Sequence, residues 1–209
     1  MYVPTHFEAR DGALVDELID ANSFATLVSQ REGEPFATHL PLLRERRDGR
    51  TVLVGHLARA NPHWRAFGDV AALAIFQGPH GYVSPRHYVS PNLVPTWNYA
   101  AIHCYGRVRI VDDAAQARAI LAKMVERYEG ARTDRWTMSL DPEFEAKLVA
   151  AIVAFEIDVE RIEAKFKLSQ NRLPIDRQAL LAALDADANA AELAALTRRV
   201  LAAGRDRGD

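Results

Sequence analysis

The 209-residue chain contains one cysteine, Cys104, and that scarcity removes two kinds of architecture at once. A lone thiol closes no internal disulfide and has no second thiol with which to build a zinc site, so Cys104 reads as a small buried hydrophobe. An excess of charge of one sign is also missing. With 26 Lys+Arg against 28 Asp+Glu the formal net charge is -2, and no whole-molecule field draws the chain to nucleic acid or to an anionic membrane. No apolar run approaches the ~20 residues of a membrane span, and the opening MYVPTHFEARDG lacks the apolar core of a signal peptide, so a cytoplasmic protein is expected. The fingerprints G-x-S-x-G, G-x-G-x-x-G, H-E-x-x-H and the P-loop are all absent. His39, His56 and His63 fall on different expected elements without paired metal-ligand spacing. Neither a catalytic constellation of the chain's own nor a metal site is expected, and any chemistry would be borrowed from a cofactor.

What is present suits a folded chain of one or two small domains, 49% hydrophobic and 26% charged. Leu14, Leu18 and Ile19 give Asp11 to Ala21 helical spacing, and Phe24 to Gln30 and Phe36 to Leu43 read as a hairpin around REGEP. RERRDGR reads as a second turn, before strands at Thr51 to Leu57 and Ala71 to Gln77. Gln77 to Thr96, rich in Gly and Pro, is expected to be a loop with at most a short strand near Tyr82. In the strand Trp97 to Val111, Ile102, Cys104, Val108 and Ile110 share one face. Tyr99, His103, Tyr105, Arg107 and Arg109 share the other, which either solvent or a ligand would suit. Helices follow at Asp113 to Tyr128 and after Asp141-Pro142, the latter carrying Phe144 and Leu148. A late strand alternates Phe155, Ile157 and Val159 with Glu156, Asp158 and Glu160, and two Ala/Leu-rich helices, Ile175 to Leu184 and Ala190 to Ala203, precede a polar tail. Strands that accumulate without regular crossover helices favour an antiparallel sheet or barrel over a doubly wound one.

Four segments carry candidate chemistry. In GHLARANPHW, Asn61 can cap a helix that Pro62 opens, so that orphan N–H groups and Arg59 would together hold a phosphate. An ordinary capped helix with Arg59 in a surface ion pair fits this segment at least as well. In ATHLPLL, Thr38 and Leu40 take one strand face and His39 the other; Thr38 either donates to a cofactor oxygen or simply packs. VPTWNY offers flat rings and an amide that suit a planar heterocycle or a core. KFKLSQNR presents Lys167, Gln170 and Asn171 after a strand, either to solvent or to the polar edge of a ring.

Taken in order, ATHLPLL, GHLARANPHW, FQGPH, VPTWNY, YGRVRI and KLSQNR resemble the FMN-binding negative transcriptional regulator family, also called PaiB-like, from MYVPTHF to about Asp176. The resemblance implies an α+β, mainly β fold: a six-stranded antiparallel Greek-key split barrel with flanking helices, spanning 1–173, with a C-terminal helical extension at 174–209. It implies FMN as cofactor and a homodimer with the flavin site at the subunit interface. It also places Arg59, Ala60 and Asn61 on the FMN phosphate, Thr38 and His39 along the site, and Trp97, Asn98, Tyr99, Lys167, Gln170 and Asn171 in its walls. The implied function is negative regulation of transcription. DNA binding lacks support from charge or from a recognisable helix-turn-helix, and Thr197, Arg198 and Arg199 on the last helix read as a solvated face. An FMN-dependent oxidoreductase or flavin reductase is the alternative. A haem-binding or haem-degrading relative, with His39, His63 or His103 as axial ligand, ranks behind both.

Overall fold

Two turns of the same kind set the edges of the sheet. Glu32-Gly33 (φ 54° and 85°) and Asp48-Gly49 (φ 50° and 77°) both take the paired positive φ of a two-residue hairpin. The first joins β1 (Phe24–Arg31) to β2 (Glu34–Pro41), and the second joins β3 (Leu43–Arg47) to β4 (Arg50–Ala58). The computed structural model describes residues 1–68 and 71–205, so the rest of the expected polar tail lies outside the described residues. The remaining strands are β5 (Ala71–Val83), β6 (Thr96–Val111) and β7 (Ile152–Lys167). All seven hydrogen-bond in the order β2-β1-β5-β6-β7-β4-β3, with β1 antiparallel to β2 and β5, and β4 antiparallel to β3 and β7.

The expectation of six strands is thereby corrected to seven, in an order that runs from edge to edge among the described residues. The added strand is β3, whose sequence LRERR reads as a turn because four of its five residues are charged. Its position at the sheet edge explains the composition, since charged edge strands resist further pairing. Arg44 bonds Asp20 (2.6 Å), Arg46 bonds Asp16 (2.8 Å), and Glu45 holds Lys123 (2.6 Å). β5 likewise runs through Gly78 and Gly81, where a loop was expected. Here glycine answers close approach: an added Cβ would lie 3.1 Å from the Ala100 Cβ at Gly78 and 2.9 Å from the Leu193 side chain at Gly81.

Contacts divide the chain into two compact units, one of Met1–Val15, Gln77–Ile102 and the chain from Glu163 onward, the other of Asp16–Phe76 and His103–Ile162. In the second unit, α2 (Ala114–Glu129) begins at Asp113, whose carboxylate accepts from Gln116 N at 2.8 Å. Its Ala117, Ile120 and Met124 pack on Val52, Val54, Val111 and Ala154. Cys104 is fully buried on β6, as expected, and burial pushes its thiol pKa up to about 12. α3 (Pro142–Ala150) starts at its Asp141 cap, and its Phe144 and Leu148 are 53% and 44% exposed. Glu156, expected on a solvated face, is buried between Arg47 (2.8 Å) and Arg109. The polar face of β6 carries exposed pairs: Arg107 meets Glu160 at the surface, and the Arg161 guanidinium lies 3.7 Å over the Tyr105 ring.

α1 (Gly12–Ala21), divided in sequence between the two units, is capped by Asp11; in the first unit α4 (Pro174–Asp185) buries Leu180 and Leu184, and α5 (Ala191–Arg205) buries Leu193, Leu196 and Leu201. Thr197 is fully buried and Arg198 pairs with Asp185 at 2.7 Å, so this helix presents no bare basic face there. No helix among the described residues is long and apolar enough to cross a membrane.

Candidate functional site

GHLARANPHW leaves β4 at Ala58 and enters a 3₁₀ helix, Pro62–Ala66, whose cap is Asn61, with Pro62 in the first turn as expected. The helix has only five residues and gives way to extended Phe67 and to Gly68 at φ 105°, too short to build a macrodipole. Arg59 is exposed. Its backbone N–H donates to Ala151 O (2.8 Å), its Nε to Ala150 O (2.8 Å) and its Nη2 to Ile152 O (2.7 Å). The guanidinium thus bonds the last carbonyl of α3 and the first of β7 instead of a carboxylate, and Nη1 remains uncommitted among the described residues. Beside it opens a groove of about 520 Å³ along α2 and α3, whose lining includes Arg59, Trp64, Arg118 and the acidic Asp112 and Glu145, but not Thr38, Ala60 or Asn61. That volume lies within the roughly 300–1,000 Å³ usual for ligand sites.

Sequence reasoning weighed His63 only as a metal or haem ligand and left it out of the flavin site. It is 0% exposed, edge-on to Phe36 (4.9 Å between ring centroids), and both ring nitrogens meet hydroxyls: Nε2 meets Ser29 Oγ at 2.8 Å and Nδ1 meets Thr38 Oγ1 at 2.7 Å. The His63 backbone N–H donates to Asn61 Oδ1 (3.0 Å), which orients the amide so that Asn61 Nδ2 donates to Thr38 Oγ1 (3.1 Å). A neutral imidazole carries one hydrogen. If it sits on Nε2, Thr38 must give its own proton to Nδ1; if it sits on Nδ1, the Thr38 proton is released to a ligand. The tautomer of His63 therefore decides whether Thr38 can donate to a cofactor oxygen. The signal for this network lies in β1, where Ser29 falls on the inward face with Ala25 and Leu27, a polar residue in a core position that needs a partner. With both nitrogens occupied, His63 offers no lone pair to a haem iron.

His39 points to the other face of β2, where Nδ1 meets Thr26 Oγ1 at 3.0 Å and the ring stacks near Phe24. The structure thus joins Thr38 and Asn61, brings Arg59 and exposed Ala60 in only as the residues preceding Asn61, and leaves His39 apart.

In the first unit a second cluster forms. Lys167 Nζ donates to Trp97 O (2.9 Å) and to Thr96 Oγ1, while Trp97 is 55% exposed and edge-on to Tyr82. Asn98 is fully buried and donates from Nδ2 to Ser169 Oγ (3.1 Å), which holds Ser169 at φ 65°. Gln170 closes its own turn: Oε1 accepts from Leu168 N (2.7 Å) and Nε2 donates to Phe166 O. Tyr99 lies 5.5 Å under the Lys165 ammonium, and Asn171 is exposed on the turn. Asn98 and Gln170 are thus committed to shaping KLSQNR, whereas Trp97 and Asn171 are open to solvent.

Burial holds the pKa values of His63, His56 and His103 below the ordinary imidazole value. Unfolded imidazoles titrate near pH ~6.5, so below that the unfolded chain takes up more protons than the folded one. The stability these neutral rings contribute is complete above about pH 6.5 and is lost as the pH falls. Urea midpoints are expected to decline on the acid side of that value; a midpoint that held or rose there would contradict it.

The family model "Putative FMN-binding domain" matches residues 1–161. The chain is 38% identical over 192 residues to protease synthase and sporulation protein PAI 2 of Bacillus subtilis, covering 90% of this chain and 91% of that protein. Among solved structures it is similar to an FAD and haem binding protein from Mycobacterium smegmatis (TM-score 0.59, 20% identity, 77% of this chain and 73% of that one). It is also similar to a flavocytochrome from Azotobacter vinelandii (TM-score 0.62, 17% identity, 79% and 72%). At such identities the likeness speaks to fold: a mainly β antiparallel sheet with helices, of the split-barrel kind. The family match covers most of the sequence, and with it the chain belongs to the FMN-binding domain family.

Proposed function

We propose that the chain holds FMN at Arg59, Ala60, Asn61 and Thr38 and uses the flavin as a ligand of a negative transcriptional regulator. The regulatory part is supported by the identity to a protein named for protease synthesis and sporulation. The observation that carries the site is the Arg59 guanidinium, which keeps Nη1 free beside a groove of about 520 Å³. The residues fit the group: Arg59 is a cation held rigidly by two carbonyls, and a charge-assisted contact needs such preorganisation. Asn61 and His63 fix the Thr38 hydroxyl as a second polar contact. When bound, FMN supplies redox chemistry at its ring. His39, Trp97, Asn98, Tyr99, Lys167, Gln170 and Asn171 belong to the proposal as lining, Asn98 and Gln170 through the turn they hold.

The Greek-key barrel within 1–173, the extension at 174–209, the homodimer with an interfacial flavin and a cytoplasmic location belong to the same reading. With a net charge of -2, contact with a promoter would rest on a local surface of the assembled dimer.

Arg59→Ala is expected to weaken FMN binding by about 1.5 to 3 kcal/mol, or roughly tenfold to 150-fold, without unfolding the chain. Flavin fluorescence quenching measures this, and unchanged affinity would remove Arg59 from the site. A labelled promoter fragment tests regulation separately, through salt-sensitive binding of the flavin-loaded chain. NAD(P)H oxidation by the same sample would instead favour the oxidoreductase.

A further inference from the structure

β7 ends in two lysines on one face, and neither meets a carboxylate. Lys165 is only 9% exposed, yet its Nζ donates to Tyr2 O (3.1 Å) and otherwise faces the rings of Tyr2 and Tyr99, each 5.5 Å away. Lys167 uses a carbonyl and a hydroxyl, and the Arg172 guanidinium lies 5.3 Å over the Tyr88 ring. Among the described residues no acid lies within ion-pairing distance of any of them. Elsewhere the chain pairs its cations freely, as Arg44, Arg47 and Arg198 show. Asp176, the acid whose pKa Arg172 helps to lower, is already engaged by Val89 N, Ser90 N and Ser90 Oγ. Withdrawing an ammonium from water is costly unless an anion answers it. Consistent with that deficit, burial lowers the Lys167 pKa; Tyr99 opposes the shift, and Lys165 and Arg172 add to it.

We infer that Lys165, Lys167 and Arg172 form a phosphate site, for a ligand in which the phosphate accompanies a flat aromatic ring. A phosphate monoester carries about -1.5 to -2 charges near neutral pH and matches a site with several donors and no acid of its own. The Tyr99 ring lies 5.5 Å from the Lys165 ammonium, and Trp97, whose backbone carbonyl accepts from Lys167, is 55% exposed, which favours a ligand with a flat ring over a bare ion. Two sources share this chemistry: the phosphate of FMN itself and that of a second nucleotide. The inference rests in part on the proposed FMN site, whose lining already includes Lys167, Trp97 and Tyr99, but its primary probe contains no flavin, so the two readings fail separately.

The test titrates inorganic pyrophosphate into the full chain by calorimetry at constant ionic strength, using wild type, Lys165→Gln and Arg172→Gln. Wild type is expected to bind, and each variant to lose about tenfold or more. Arg172 lies in a partly exposed turn, so Arg172→Gln reports even if the more buried Lys165→Gln fails to fold. A second arm compares FMN with riboflavin. A fall in the FMN-to-riboflavin affinity ratio in Arg172→Gln assigns the phosphate to the flavin, and an unchanged ratio with pyrophosphate binding lost assigns it to a second nucleotide. Either outcome supports the site. Absence of saturable pyrophosphate binding to wild type, or equal binding by wild type and Arg172→Gln, overturns it. If pyrophosphate binds and FMN does not, the flavin reading alone fails.

Discussion

Gly106→Ala is expected to destabilise the fold by about 3 kcal/mol or more, near the top of the usual range for overpacking. A Cβ at Gly106 would stand 2.2 Å from Asp158 O, 2.9 Å from its carbonyl carbon and 3.0 Å from Val159 Cα. All three are backbone atoms of β7, so no side chain can swing aside and the strand itself must move. Gly55 offers a graded comparison, because its nearest obstacle at 2.7 Å is the flexible end of Leu42. Gly12 meets nothing within 4 Å, and Gly12→Ala serves as the neutral control. Urea unfolding of the three variants is expected to rank them 106, 55, 12 in decreasing loss. Equal midpoints for Gly106→Ala and Gly12→Ala would show that β6 and β7 do not approach so closely.

His63→Ala is expected to cost roughly 3 to 5 kcal/mol, since it opens a cavity and strands two hydroxyls in one step. The ring is 0% exposed, and Ser29 Oγ and Thr38 Oγ1 both lose a partner in a shell that includes Phe36 and Phe67. Asn61 retains Thr38 but loses the imidazole beyond it, so FMN affinity is expected to fall along with stability. His63→Gln separates the two effects. It restores one polar contact without a ring that takes up a proton on unfolding in acid, and the acid-side decline in its urea midpoint is expected to be shallower than in wild type. Full stability in His63→Ala would mean that the network is dispensable.

Local chemistry made much of this fold legible. Asp113, Asp141 and Asn61 announce their caps, the even-numbered apolar residues of β6 announce its inner face, and Glu32-Gly33 announces a hairpin. What escaped depends on neighbours distant in sequence. LRERR becomes a strand only because β4 pairs with it, and Gly78 and Gly81 stay extended because Ala100 and Leu193 come close. The candidate site divides in the same way. Asn61 announces its cap from spacing alone and Arg59 enters the candidate site through the family resemblance, whereas His63 gains its partners only when β1, β2 and the 3₁₀ helix converge. Lys165 gave no signal at all, since a lysine without an acid is recognised only once its surroundings are known.

Cys104 gives this chain an internal clock. With its sulfur sealed within β6 and its pKa near 12, a thiol reagent at neutral pH meets neither an accessible group nor a thiolate. Alkylation can proceed only in molecules whose sheet has opened. Because there is no second thiol, every labelling event dates one such opening, and the labelling rate measures how often the strand leaves its neighbours.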